Sequence, residues 1–314
     1  MKKPHRRLTL FSIAACILLV FALMALYVSP EWQAFLSDKL APVYMKCCVN
    51  IPNGDDMHRF YVNDGYTSPN AYIAHGGGIR KYVLDNSLEA AQDSIRRGFR
   101  FIEFDLLVTS DGHLVGGHSW PDLRKRAHLP AVNEPMSIDE VIAHSRPGEF
   151  SPITSRDICR LLEENPDLTV VTDQIRDYEL LLREIPYPDR LIVEILGGRL
   201  GACMRYGKAI KAGIKYPSMT VRNLSQMELA YNCNIPIISL GDKHLFNTQK
   251  GAELVGRIHD KGITILIFSL EGDAYWETEE FVRSHLGKTF SLYYAEKYGP
   301  NDLPPSQASQ KGRE

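Results

Sequence analysis

Glu103 and Asp105 stand two residues apart inside the apolar run Phe101-Ile-Glu-Phe-Asp-Leu-Leu107. In a strand, residues i and i+2 face one side, so the two carboxylates point together while Ile102, Phe104 and Leu106 point the other way. Like charges this close repel unless a cation lies between them or one keeps a proton. Hard oxygen ligands at such a spacing suit Mg²⁺ or Ca²⁺. Asp111-Gly112 is a two-residue turn signal. It folds His113 to His118 back along the acidic strand and brings His118 toward the pair. His75 ends an earlier short apolar run, Tyr72 to Ala74. A helical pattern with Leu88, Ala91 and Ile95 on one face joins the two runs. Such a strand–helix–strand unit sets His75 at the same edge. Two imidazoles beside a metal-ready acidic pair form a candidate acid–base site.

Elements that would position these groups recur along the rest of the chain. Apolar runs 168–173, 190–196, 218–222, 235–240, 262–268 and 289–293 alternate with helical patterns over 154–164, 178–184, 200–212, 225–232, 247–261 and 278–286. With Tyr72–Ala74 and Phe101–Leu107 this makes eight strands. The runs are continuous rather than alternating, as in strands covered on both faces. The expectation is an α/β fold, a (β/α)8 TIM-type barrel. Active sites of such barrels lie at the C-terminal strand ends. The polar residues at those ends are His75, Glu103 and Asp105, Asp173 and Gln174, Glu194, Arg222, Asp242 and Lys243, and Ser269 and Glu271. Glu194 reads either as a metal ligand competing with Asp173 or as a buried acid paired with Arg222 or Lys215. The stretch 121–152 reads as a long loop rich in breakers. Its Ser137-Ile-Asp-Glu140 resembles a capping box, and its Arg124-Lys125-Arg126 reads as a solvated charge run or a phosphate-holding cluster.

The order His75, Asn86-Ser87, Gly98, Glu103-Phe-Asp105, Thr109-Ser-Asp111-Gly112, His118 resembles the glycerophosphodiester phosphodiesterase family, within the phospholipase C-like phosphodiesterase superfamily. The resemblance implies a TIM-type barrel, a divalent metal, and two histidines acting on a phosphodiester, with His75 as base and His118 as acid. It implies metal ligands Glu103, Asp105 and Asp173. It also sets Asn86, Gln174, Glu194 and Arg222 at the substrate. The chain departs from the family pattern at Gly76, where an Arg follows the first His, and Arg80 or Lys81 is a substitute cation. Asp85 replaces a Glu and Ser119 an Asp. Gln174 or Arg176 stands in for a strand-three Lys, and the last two strands lack the family's polar ends. The implied substrates are glycerophosphodiesters, lipid headgroups or glycerol-phosphate polymers. The departures sustain two alternatives. One is a catalytically impaired barrel that binds a phosphorylated glycan or lipid. The other is a phosphate-cyclising lyase like the sphingomyelinase D toxins.

The chain has 314 residues and a formal charge of −2. That size accommodates one barrel, and the charge gives no electrostatic case for nucleic acid. Residues 1–7 are basic, and Leu8 to Val28 carries no charge. Its length matches the ~20 residues that cross a bilayer as a helix. Residues 8–28 therefore read as an uncleaved transmembrane signal anchor with a cytoplasmic N-terminus and an extracytoplasmic barrel. A cleaved signal and a lipoprotein-type Cys16 are the alternatives. Residues 29–71 form a linker and lead-in with a short helix from Glu31 to Leu40, 72–299 the barrel, and 300–314 a polar tail expected to be disordered. Outside Cys16 the cysteines number five (Cys47, Cys48, Cys159, Cys203, Cys233). In an oxidising compartment they leave room for one or two bridges.

Overall fold

The computed structural model describes residues 30–52, 71–78, 84–196, 199–241, 248–268, 284–285 and 291–295. Its strands are β1 (Tyr72–Ala74), β2 (Phe101–Val108), β3 (Leu114–Gly116), β4 (Thr169–Asp173), β5 (Leu191–Ile195), β6 (Tyr216–Val221), β7 (Ile237–Leu240), β8 (Thr264–Ile267) and β9 (Leu292–Ala295). All but β3 pair in parallel in the order β1-β9-β8-β7-β6-β5-β4-β2, and a β1–β2 pairing closes the ring. The eight parallel strands thus make the TIM-type barrel expected from the apolar runs. β3 is the returning arm of the Asp111-Gly112 hairpin, antiparallel to β2 with Leu107 opposite Val115. Gly112 turns it at a φ of +83°, a left-handed value that glycine adopts without a Cβ penalty.

Between strands the chain forms helices α1 (Pro30–Cys48), α2 (Leu88–Arg96), α3 (Trp120–Arg126), α4 (Ile138–Ala143), α5 (Ser155–Glu164), α6 (Tyr178–Glu184), α7 (Arg199–Ala212), α8 (Leu224–Asn232) and α9 (Gln249–Asp260). Local chemistry starts most of them. Ser87, Ser119, Ser137, Thr154, Asp177, Asn223 and Thr248 each accept a backbone N–H of the first turn. Ser137–Glu140 and Thr154–Asp157 close full capping boxes, in which each residue's side chain accepts the other's otherwise unpaired backbone N–H.

Two segments differ from expectation. α1 runs to Cys48, beyond the expected stop at Leu40 and through Pro42. Ala41 and Met45 are fully buried, so packing on the barrel sustains helix where local propensity would end it. The stretch 121–152 carries the short helix that the Ser137 capping box opens, α4, and a second helix that was not expected, α3. α3 and α4 enclose a second small core of Val115, Trp120, Leu123, Met136, Val141 and Phe150, built on the β2–β3 hairpin. The main core fills the barrel and the space under its helices. All five cysteines of the described residues are free.

Among the described residues no helix is long and apolar enough to cross a membrane. The anchor expected over 8–28, the tail over 300–314, Arg80, Lys81, Asp242, Lys243, Ser269 and Glu271 lie outside the described residues, as does most of the expected helix 278–286.

Candidate active site

Sheet register assembles the acids. Asp105 on β2 is the partner of Asp173 on β4, and neighbouring strands lie about 4.8 Å apart. Thr172 pairs Val193, so Asp173 and Glu194 follow side by side. Ala74 pairs Ile102, which sets His75 beside Glu103. One oxygen from each of Glu103, Asp105 and Asp173 lies within 4.8 Å of the others. His75 Nε2 stands 4.0 Å from Glu103 Oε2, and its ring meets Tyr294 edge-on, with centroids 5.6 Å apart.

Fixed donors orient Glu103 and Asp105. The Gly76 N–H donates to Glu103 Oε2 at 2.7 Å. Asn86 Nδ2 donates to Asp105 Oδ2 at 2.9 Å, and the Asp105 N–H returns a bond to Asn86 Oδ1 at 3.0 Å. Gln174 Nε2 donates to Asp105 Oδ1 at 2.7 Å. Both amide residues sit at positive φ, 55° for Asn86 and 60° for Gln174. Asparagine tolerates that region better than most residues; glutamine gains no such help, and the barrel must impose it. Asn86 and Gln174, expected at the substrate, are therefore engaged with a metal-type ligand.

Burial, then the Asp105 and Asp173 charges, drives the Glu103 carboxyl well above its ordinary value. Burial, then Asp105 and Glu194, lifts Asp173 to about 8. Burial also raises Glu194, against the pull of Ser239, Tyr294 and His75. Tyr294, itself buried, is raised by burial and by the Glu194, Glu103 and Asp173 charges. Asp173 Oδ1 and Glu194 Oε1 are buried with no hydrogen-bond partner. Converging carboxylates, poorly compensated and with orphaned oxygens, fit a hard divalent cation.

His118 reaches this rim through the backbone. The Gly117 N–H donates to the Asp105 carbonyl at 2.9 Å, and the imidazole that follows is exposed. Glu194 faces the cluster instead of pairing with a surface cation, because Lys215 pairs with Asp189 and Arg222 is exposed beyond β6. Of the basic run, Arg126 pairs with Asp85 and Asp122 and lies over Phe150, while Arg124 Nε donates to the Pro130 carbonyl. Both serve the fold of the insertion.

Sequence reading missed Tyr294 and Arg205. Tyr294 lies on β9, which begins three residues later than expected, and a tyrosine in an apolar run gives no signal of its own. A pocket of about 290 Å³ opens beside the cluster, lined by Gln174, Arg176, Tyr178, Glu194, Leu196 and Arg205. Arg205 lies mid-helix in α7, where only the tertiary fold shows that it reaches back to the Leu196 carbonyl.

Residues 75–149 match the family model "Glycerophosphoryl diester phosphodiesterase family". The chain is similar to a glycerophosphodiester phosphodiesterase from Thermotoga maritima (16% identity, TM-score 0.58, covering 72% of this chain and 94% of that one). It is also similar to one from Parabacteroides distasonis (16%, TM-score 0.62, 84% and 94%) and one from Agrobacterium tumefaciens (13%, TM-score 0.54, 74% and 97%). No curated protein matches the chain. At these identities the structural likeness establishes the barrel. The matched residues 75–149 contain His75, Glu103, Asp105 and His118, and they lie on a barrel similar to that of these solved phosphodiesterases.

Proposed function

We propose that the chain is a membrane-anchored, metal-dependent hydrolase of glycerophosphodiester-type bonds, with His75 and His118 as its acid–base pair. The observation that carries this reading is the convergence of Glu103, Asp105 and Asp173 at the rim where His75 ends β1. Glu103, Asp105 and Asp173 would hold the ion, with Glu194 beside them. A divalent cation there supplies charge stabilisation at the phosphoryl oxygens.

The chain's own residues supply the rest. His75, held by Tyr294 edge-on and near the Glu103 carboxylate, accepts the proton of the attacking water. The water oxygen bonds to phosphorus as the bond to the leaving alcohol breaks. His118, exposed at the mouth, gives the leaving oxygen its proton. Asn86 and Gln174 hold Asp105 in one orientation throughout, a task that in metal sites falls to groups bonded to the ligands. Arg176 and Arg205 line the adjoining pocket and suit the substrate's anionic portion. The uncharged run 8–28 anchors the chain with its N-terminus in the cytoplasm and the barrel outside.

The deciding experiment incubates residues 30–314 with glycerophosphodiesters and bis-nitrophenyl phosphate, with Mg²⁺, with Ca²⁺ and with chelator. Metal-dependent release of alcohol, abolished by His118→Ala, is the expected result. A folded domain that binds metal but cleaves nothing would favour a non-catalytic phosphate binder. A cyclic phosphate in the phosphorus NMR spectrum would make it a lyase.

A further inference from the structure

The first described helix fixes which end of the barrel its tether leaves from. Ser37 Oγ accepts the Leu200 N–H at 3.0 Å, and Asp38 forms an ion pair with Arg199. Seven residues further along both helices, the Tyr44 hydroxyl stands 3.0 Å from where a Cβ at Gly207 would lie. Positions 37 and 44 of α1 thus meet 200 and 207 of α7, so the helices run parallel and in step. α7 begins where β5 ends, at the rim that carries Glu194. The N-terminus of α1 therefore points the same way as the catalytic mouth. From Ser37 back to Pro30 the helix continues about 10 Å past the level of Leu200, at 1.5 Å per residue. Only Ser29 separates Pro30 from the uncharged run ending at Val28. In the outer turns Phe35 is half exposed with the Lys39 ammonium 5.6 Å from its ring centre, an aromatic and cation suited to a headgroup layer.

We infer that the catalytic mouth faces the bilayer and that the substrate is a phosphodiester headgroup of a membrane lipid. This rests on the anchored-hydrolase reading above and adds to it an orientation and a substrate class. With the opposite orientation, the chain would have to double back along the barrel between Val28 and Pro30, and one residue cannot span that distance. Mouth-down placement sets the Arg176–Arg205 pocket and His118 toward the headgroups. The acylated product, diacylglycerol or phosphatidic acid, then stays in the bilayer, and the water-soluble product leaves.

The test uses the full chain in vesicles of phosphatidylglycerol and phosphatidylcholine, with glycerophosphoglycerol and glycerophosphocholine as soluble substrates. A variant carries a helical Glu-Ala-Ala-Ala-Lys spacer of about 20 residues between Ser29 and Pro30, which lifts the barrel by about 30 Å. The spacer is expected to lower lipid turnover at least tenfold and to leave soluble diester turnover within twofold. Equal lipid turnover with and without it, or soluble turnover with none of the lipid, would overturn the inference while leaving the hydrolase reading intact. Turnover of neither substrate by the unmodified chain would sink the hydrolase reading itself. An arm independent of activity replaces Cys47 and Cys48 by Ser and labels Arg222→Cys at the mouth or Asp260→Cys at the far end of α9. Lipid-borne nitroxide should quench the first label more strongly; the reverse order rejects the orientation.

Discussion

The backbone N–H of Gly76 donates to Glu103 Oε2 at 2.7 Å, where the family pattern has an arginine in place of the glycine. Gly76 holds a φ of +60°, and a Cβ added there would lie 2.8 Å from Asp85 Cβ. Arg126 holds Asp85 in turn. Position 76 is therefore closed to a side chain, and its main chain serves the acidic cluster instead. Gly76→Ala and Gly76→Arg should each destabilise the fold by about 1–3 kcal/mol, through left-handed strain and overpacking. Denaturant titration checks this. A Gly76→Arg protein of unchanged stability and higher activity would mean that the site accepts the family residue after all.

Asn86 bonds Asp105 twice, through its amide and through the ligand's own N–H. Asn86→Ala removes both bonds and leaves a buried N–H unpaired, at about 1–3 kcal/mol. Loss of the orienting bond should also weaken divalent-ion binding about 10–100-fold. Calorimetry with Mg²⁺ and Ca²⁺ measures it. Wild-type affinity in Asn86→Ala would assign the residue to the fold alone.

Asp173 titrates at about 8 because burial, Asp105 and Glu194 oppose its charge. The native state thus holds a proton that the unfolded chain has released above pH ~4. This group's contribution to stability is full below that unfolded value. It is lost as pH rises toward 8, by about 1.4 kcal/mol per unit for one isolated carboxyl. With chelator present, melting temperature should fall from pH 5 to pH 8. Asp173→Asn should flatten that slope, and Mg²⁺ or Ca²⁺ should flatten it by balancing the charge. Parallel slopes for wild type and Asp173→Asn, both metal-free, would show that Asp173 ionises normally.

Removal of either imidazole tests the chemistry apart from the fold. His75→Ala and His118→Ala should each lower turnover about 10²–10⁴-fold. His118 is exposed, so its substitution should leave melting temperature and metal affinity near wild type. His75→Ala also removes the ring contact with Tyr294 and should lower stability slightly. Unchanged turnover in His118→Ala would take that residue out of the mechanism.

The barrel was legible in the amino-acid order because continuous apolar strands and capped helices are local signals. So were the Glu103–Asp105 pair and its hairpin, since a period of two and an Asp-Gly turn act over a few residues. Other features depended on distant contacts. Register placed Asp173 against Asp105 and brought Glu194 to the same layer. Packing carried α1 through Pro42 and alongside α7, and Arg205 reached the pocket from mid-helix. The engagement of Asn86 and Gln174 by Asp105, and the closing of position 76 by Asp85, likewise join residues far apart in the chain. Residue type and short-range spacing set which chemistry is available. Which side chains share one space is settled only when the ring of strands closes, because those distances are not a function of separation along the chain.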